Sequence, residues 1–358
     1  MGLRELRFTP GAFLMTLALT LVWTANALAG DLPAKFDYLG PEMKYFTNKA
    51  GRELVYIDEG EKDWRTVLFF SGAGTSVQAF YLTEFAHTLR NDLKLRVISL
   101  GRNGFGQTGF VPGQTYQDYA DDVKELLEHL KVDAFAGVAI SGGGPFMAAV
   151  AESLPDKVLS LHFAAAYSYK EAGPLRICAA LQQDREKFKS DLASWIKNPK
   201  VWWDLGKNTS IHKIPAFQDT ANNEGAHAYF IRGQMADPAP VIHEYTMLCT
   251  IPAPQGPSVV TAPIFMYYGT ADKSVVMGHA EFWKARFSRG QSQTLRVYQD
   301  EGHDVQYRHW DQVLFDLAGQ GDGTLICPKG GKAALVGPDE AEKLVSGGKA
   351  ALGLCMWQ

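Results

Sequence analysis

The stretch AFAGVAISGGGPFMAAVA, residues 134–151, places Ser141 between an apolar run and three consecutive glycines. The residues before Ser141 have the pattern of a buried strand, and those after the glycines have the pattern of a helix. Ala139 and Gly143 lie two residues to either side, giving A-x-S-x-G, a variant of G-x-S-x-G. In that motif a sharp strand-to-helix turn exposes the serine hydroxyl and requires small neighbours. A glycine-rich phosphate loop is disfavoured, because SGGGPF lacks both a lysine and the G-x-G-x-x-G spacing.

Short strands alternate with helices on both sides of this stretch. ELVYIDEG, RTVLFFSG and LKLRVISLG are predicted strands, whereas QAFYLTEFAHTLRND and YQDYADDVKELLEHLKV are predicted helices. Such alternation predicts an α/β fold with a mostly parallel central sheet and helices on both faces. This core covers residues 30–166 and resumes at 258–320. Between them, residues 167–257 are mainly helical and predict a cap over the carboxyl edge of the strands, where such sheets bind ligands.

A carboxylate and a histidine follow Ser141 at the ends of two later predicted strands. Asp272 lies in GTAD and His303 in EGHD, so the chain order is Ser, Asp, His. We predict that His303 accepts the proton of Ser141 and that Asp272 holds the imidazole in the required tautomer. A loop aspartate is more commonly a turn cap, which is the alternative for Asp272. If Asp272 were too distant, other nearby carboxylates could orient the histidine: Asp300, Glu301 and Asp304.

Two backbone N–H groups are predicted to stabilise a developing oxyanion. One belongs to Gly142, the residue after the nucleophile, and the other to Ala73 in LFFSGAGTS, the loop after an early strand. Substrate contacts are predicted from this loop and from the aromatic residues of the cap, although rings of this kind also commonly form the cap core. The predicted substrate-binding residues are Ser71, Gly72, Trp195, Trp202 and Tyr245.

Four motifs, FFSGAGTS, GRNGFGQT, GVAISGGGP and the pair GTAD/EGHD, resemble those of the α/β-hydrolase superfamily with a helical cap. The resemblance covers residues 36–318. The family commonly has His-Gly where this chain has Ser71-Gly72, and Asp and Arg where it has Gly101 and Asn103. These departures imply altered hydrogen bonding near the pocket and leave the subfamily open.

The resemblance implies a serine hydrolase that needs no metal or organic cofactor and cleaves an ester. The aromatic residues of the cap suggest a small or medium apolar acyl or alcohol group. Hydrolysis of an amide or of a C–C bond beside a carbonyl is an alternative. A peptidase would need a cap carboxylate for a substrate amine, and Glu224 or Asp237 could serve. An alternative of another class is a ligand-binding protein of this fold without catalysis.

Composition and the N-terminal residues limit which partners and which cellular compartment are expected for this protein. The chain has 358 residues and a net charge of −4 without a basic run, which argues against nucleic acid as a partner. Arg4 and Arg7, an apolar run, and Ala27 and Ala29 in ANALAG predict a signal peptide over residues 1–29, with a membrane anchor as the alternative. The mature protein is therefore expected to be secreted or periplasmic, without a membrane span. A small-molecule substrate is the one partner predicted, and the sequence does not predict an oligomeric state.

The chain contains four cysteines, Cys178, Cys249, Cys327 and Cys355. An even number in an exported protein favours disulfides, and four cysteines allow three pairings. No C-x-x-C spacing indicates a zinc site. The extension at residues 321–358 resembles the small cysteine-flanked C-terminal segment of various exported bacterial proteins. This resemblance implies a Cys327–Cys355 bond and leaves Cys178–Cys249 within the cap.

Overall fold

A computed structural model describes residues 42–173, 175–197 and 238–353. Its centre is an eight-stranded sheet. The strands, numbered in chain order, are β1 Lys44–Thr47, β2 Glu53–Glu59, β3 Arg65–Phe70, β4 Leu95–Leu100, β5 Phe135–Ile140, β6 Val158–Ala164, β7 Ile264–Gly269 and β8 Gln293–Tyr298. They lie in the order β1-β2-β4-β3-β5-β6-β7-β8. Strand β2 pairs antiparallel with β1 and β4, and strands β3 to β8 are parallel to one another. This architecture confirms the predicted fold class.

Helices cover both faces of the sheet, because successive side chains of each strand point to opposite sides. In β3, Val67 and Phe69 pack into one apolar core, whereas Leu68 and Phe70 pack into the other. The helices around the sheet are α1 His87–Asp92, α2 Tyr116–Leu130, α3 Gly144–Ser153, α7 Gly278–Arg286, α8 Val305–Arg308 and α9 Trp310–Leu317. Helices α2, α3 and α7 contribute to the core on the Leu68 side, and α9 contributes to the core on the Val67 side.

One predicted helix differs in type. The sequence pattern predicts a single helix over QAFYLTEFAHTLRND, but residues Val77–Ala86 form a 3₁₀ helix that continues into α1. Val77, Phe80, Thr83 and Ala86 are all buried at a spacing of three residues. Side chains three apart eclipse one another in a 3₁₀ helix, so this spacing buries one continuous face.

Among the described residues between β6 and β7, three α-helices are present: α4 Arg176–Gln183, α5 Arg185–Lys197 and α6 Pro238–Thr250. A disulfide joins Cys178 of α4 to Cys249 of α6, the pairing expected in the cap. The predicted signal peptide, Trp202, Glu224, Asp237 and Cys355 lie outside the described residues, so the Cys327–Cys355 bond stays a prediction. Within the described part of the chain, no helix has the length and apolar character needed to cross a membrane.

The C-terminal extension contains the strands β9 Thr324–Pro328, β10 Ala334–Val336 and β11 Ala350–Leu352, with α10 Pro338–Ser346 before the last strand. The three strands form a small antiparallel sheet with the order β10-β9-β11. The extension docks on the main sheet, because Arg296 of β8 donates to the carbonyls of Gly321 (3.0 Å) and Gly323 (2.9 Å). Gln312 of α9 accepts from the Leu325 N–H at 2.6 Å.

Candidate active site

Ser141 lies at the sharp turn between β5 and α3. The strand ends at Ile140, and the chain makes one 3₁₀ turn before α3 begins at Gly144. Ser141 has a φ of 48°, in the left-handed region that non-glycine residues rarely occupy. Such a conformation costs about 1–3 kcal/mol and is typical of functional turns. The Tyr167 N–H donates to the Ser141 carbonyl at 2.7 Å and helps to hold the turn.

The glycines after Ser141 are required by close backbone contacts. A Cβ atom on Gly143 would lie 2.3 Å from the Phe70 carbonyl oxygen, at the end of β3. A Cβ atom on Gly144 would lie 2.0 Å from the Tyr167 carbonyl oxygen, just beyond β6. Any larger residue would therefore push the turn away from its neighbouring strands, and the serine with it.

Ser141, His303 and Asp272 form one hydrogen-bonded chain. Ser141 Oγ lies 3.0 Å from His303 Nε2, and His303 Nδ1 lies 2.8 Å from Asp272 Oδ2. Asp272 follows β7 and His303 follows β8, so the parallel strands bring all three side chains to one edge of the sheet. Both distances are within the reach required for a nucleophile, its base and the group that orients the base.

The other candidate carboxylates have different surroundings. Glu301 lies 2.9 Å from His309 Nε2, and Asp304 accepts from Arg308 at 2.8 Å. Asp300 is exposed. The structure thus places Asp272, and not these three, in contact with His303.

Asp272 is held as an anion. Its side chain is buried, which alone would raise the pKa, but the hydrogen bond and charge of His303 lower the pKa below its ordinary value. The backbone N–H groups of Ser274 (2.7 Å) and Val275 (2.9 Å) donate to Oδ1 and act in the same direction. An ionised carboxylate can only accept, so Nδ1 of His303 must donate to it. In the neutral imidazole, Nε2 is then free to accept the Ser141 proton.

The two predicted oxyanion donors lie side by side. A Cβ atom on Gly142 would be 2.9 Å from the Ala73 nitrogen, so the turn after β5 touches the loop after β3. A Cβ atom on Gly72 would be 3.5 Å from Ser141 Cβ. Residues 71–75, called the oxyanion loop below, therefore adjoin the serine.

Two charged residues that the sequence analysis missed hold this loop. Arg102 donates to the Ser71 carbonyl at 2.7 Å, and Glu244 accepts from the Gly74 N–H at 2.8 Å. Burial raises the pKa of Glu244, although the charge of Arg102 opposes the effect. Glu244 is the single acidic residue of the apolar helix α6, and a lone carboxylate there is the signal that could have identified it.

The predicted substrate-binding residues fall into three groups. Ser71 and Gly72 lie beside the nucleophile, in the oxyanion loop. Tyr245 is buried in the core and makes an edge contact with Phe188, with ring centroids 6.3 Å apart. The Trp195 side chain is not described, and Trp202 lies outside the described residues. Within the described ranges, no group of three or more His, Cys, Asp or Glu side chains is arranged to hold a metal ion.

Comparison with known proteins supports the same architecture. A family model for the alpha/beta hydrolase fold matches residues 65–196. A hydrolase from Pseudomonas aeruginosa PA01 is 15% identical with a TM-score of 0.54, and the alignment covers 78% of this chain and 98% of that one. An esterase from Rhodococcus sp. ECU1013 is 14% identical with a TM-score of 0.54, covering 78% and 99%.

A third solved structure, a membrane phospholipase A described as a bacterial virulence factor, is 17% identical with a TM-score of 0.61 and coverage of 87% and 97%. No curated protein matches the sequence. At these sequence identities, structural similarity is evidence for the fold only. Since the sheet order, the turn at Ser141 and these comparisons agree, the chain has the α/β-hydrolase fold.

Proposed function

We propose that this protein is a serine hydrolase that cleaves carboxylic esters. The observation that carries the proposal is the chain of contacts from Ser141 through His303 to Asp272, at 3.0 and 2.8 Å, beside the backbone of Gly142 and Ala73. The esterase and hydrolase names of proteins with the same fold are consistent with it. No metal or organic cofactor enters the proposed reaction.

The first half of the reaction forms an acyl-enzyme. The Ser141 proton moves to His303 Nε2 as Oγ attacks the ester carbonyl, and the oxyanion is stabilised by the N–H groups of Gly142 and Ala73. Asp272 stabilises the imidazolium. The imidazolium then donates its proton to the leaving alcohol as the C–O bond breaks, which leaves the acyl group on Ser141.

The second half consumes water. His303, now neutral, removes a proton from water as the hydroxide attacks the acyl carbonyl. Collapse of the second oxyanion breaks the bond to Ser141, and His303 returns the proton to Oγ. The products are a carboxylic acid and an alcohol, and the enzyme is regenerated.

Ser141→Ala tests the proposal directly. It should lower kcat for a short-chain p-nitrophenyl ester by roughly 10⁴-fold or more and should abolish labelling by a fluorophosphonate. Ser153→Ala, at the end of α3, is the matched control and should retain both. Equal ester turnover in wild type and Ser141→Ala would contradict the proposal. A wild-type protein that neither labels nor turns over esters would support the non-catalytic alternative.

Amide and C–C bond hydrolysis use the same three residues and are separated by substrate profiling. Parallel assays with esters and aminoacyl amides of one acyl group should show faster turnover of the ester. A preference for the aminoacyl amide would favour the peptidase alternative.

We also propose that the protein is exported. The predicted leader over residues 1–29 supports this, and so does the Cys178–Cys249 bond, because disulfides persist in oxidising compartments. Mass spectrometry of protein recovered from the periplasm or medium of a bacterial host should give a mature chain that begins at Gly30. Recovery of only the full-length chain in the cytosol would contradict export.

A further inference from the structure

Arg102 and Glu244 form a buried ion pair between the sheet and the cap. Arg102 Nε lies 2.9 Å from Glu244 Oε2, and each side chain is 4% exposed. Arg102 follows β4, and Glu244 lies in the middle of α6. Burying two charges costs several kcal/mol each before their attraction compensates, so such a pair does not by itself indicate stability.

Both side chains hold the oxyanion loop with their remaining polar atoms. Arg102 donates to the carbonyls of Ser71, Gly72 and Thr75. Glu244 Oε1 accepts from the Gly74 N–H at 2.8 Å. Residues on both sides of position 73 are therefore fixed by one ion pair, and Ala73 lies between them.

The guanidinium of Arg102 is itself fixed by aromatic rings. Its central carbon lies 5.0 Å from the ring centroid of Phe146 and 5.7 Å from that of Phe105. Phe146 belongs to α3, the helix that begins directly after the Ser141 turn. The guanidinium that holds the oxyanion loop is thus packed against the helix that directly follows the nucleophile.

We propose that Arg102 and Glu244 are positioning residues that aim the Ala73 N–H at the developing oxyanion. Through Glu244, helix α6 then contributes to transition-state stabilisation. The inference rests on the proposed function, since it assigns these residues a part in the same reaction. Oxyanion donors act only when held in place before the reaction, and a shift of about 1 Å can cost about 10²-fold in rate.

A purely structural role for the pair, as an anchor for the cap, makes a different prediction. His243, the neighbour of Glu244 in α6, also joins this helix to the core, because its Nε2 lies 2.7 Å from the Gln114 carbonyl oxygen. The hydrogen bonds from Arg102 and Glu244 to the oxyanion loop involve neither His243 nor Gln114. His243→Ala therefore weakens cap anchoring without removing a contact to that loop, and it serves as the matched control.

The test uses the full chain in four forms: wild type, Glu244→Gln, the double variant Arg102→Met with Glu244→Met, and His243→Ala. The double variant leaves no unpaired buried charge, so it should remain folded. For each form, kcat and KM are measured with a short-chain p-nitrophenyl ester. The inhibition constant of an alkylboronic acid is also measured, because its tetrahedral adduct on a serine places an oxygen where the oxyanion forms.

The double variant should show a kcat lower by about 10²-fold with KM nearly unchanged, and boronic acid affinity should fall by a similar factor. Glu244→Gln keeps an acceptor for the Gly74 N–H, so its kcat should fall less than that of the double variant. His243→Ala should keep kcat close to that of the wild type. Thermal unfolding of each variant shows whether a lower kcat comes from loss of the fold or from loss of positioning. If the double variant does not fold, the kcat and boronic acid affinity of Glu244→Gln are compared with those of the wild type instead.

Two results would overturn the inference alone: a folded variant of the pair with wild-type kcat and boronic acid affinity, or a His243→Ala variant that loses as much kcat as the double variant. Failure of the proposed function has a different signature. In that case the wild-type protein itself neither turns over esters nor labels with a fluorophosphonate, and the inference fails with it.

Discussion

Gly142→Ala is a substitution that should displace an oxyanion donor by steric contact. The new Cβ atom would lie 2.6 Å from Ala73 Cβ and 2.9 Å from the Ala73 nitrogen. Ordinary van der Waals contact begins at 3.4 Å, so the two loops must separate by about 0.8 Å, the difference between 3.4 and 2.6 Å. The N–H groups of both proposed donors belong to the residues that must move apart.

The size of this separation determines how large a loss of kcat we expect. A misplacement of about 1 Å costs about 10²-fold in rate, and loss of a whole oxyanion donor costs about 10²–10³-fold. We therefore expect kcat for a p-nitrophenyl ester to fall by about 10²–10³-fold, equivalent to about 3–4 kcal/mol of transition-state stabilisation. KM should change little, because the donors interact more strongly with the oxyanion than with the substrate carbonyl.

Steady-state ester hydrolysis, with thermal unfolding in parallel, measures this effect. Gly109→Ala is the matched control, because Gly109 is exposed and a Cβ atom there would meet nothing within 4 Å. Adding Ala73→Gly to Gly142→Ala removes the 2.6 Å contact and should restore part of the rate. A folded Gly142→Ala variant with wild-type kcat would refute the assignment of the Ala73 and Gly142 N–H groups as donors.

Three further predictions concern the hydrogen-bonded chain, the cap and acid stability. Asp272→Asn should lower kcat by about 10³–10⁴-fold, because an amide that donates to Nδ1 favours the wrong tautomer of His303; near-normal ester turnover would contradict this. Replacing Cys178 and Cys249 by alanine should lower the free energy of unfolding in urea by about 4 kcal/mol, from the 71-residue separation of the pair, and an unchanged midpoint would count against it. His279 is fully buried, and burial lowers its pKa from 6.5 to about 4. As the pH falls, the unfolded chain therefore takes up a proton at this histidine before the folded chain does. The contribution of His279 to the free energy of unfolding should be fully present above pH 6.5, and the free energy of unfolding should decrease by about 3 kcal/mol between pH 6.5 and pH 4. Urea denaturation at several pH values should show a smaller decrease in His279→Gln, and equal slopes in the two proteins would exclude this histidine as the cause.

Local patterns in the sequence determined the class of fold and the candidate residues of the site. The apolar run before Ser141, the small residues around it and the chain order Ser, Asp, His all depend on turn chemistry and strand ends, which act over a few residues. Parallel strands bring their carboxyl ends to one edge, so residues 162 positions apart, such as Ser141 and His303, can be assigned to one site from sequence alone. The helix type at Val77–Ala86 could not be distinguished in this way, because its mostly apolar sequence fits both the 3₁₀ and the α-helical period.

Tertiary structure alone decided which buried surfaces meet. The spacing of the four cysteines leaves three pairings open; a resemblance implied Cys178–Cys249, and the contact between α4 and α6 is what brings these two residues together. Arg102 and Glu244 carry no local pattern that links them, since the attraction between two charges becomes specific only when both leave water at the same place. That place is the contact between helix α6 and the oxyanion loop, which brings together two residues 170 positions apart, Gly74 and Glu244.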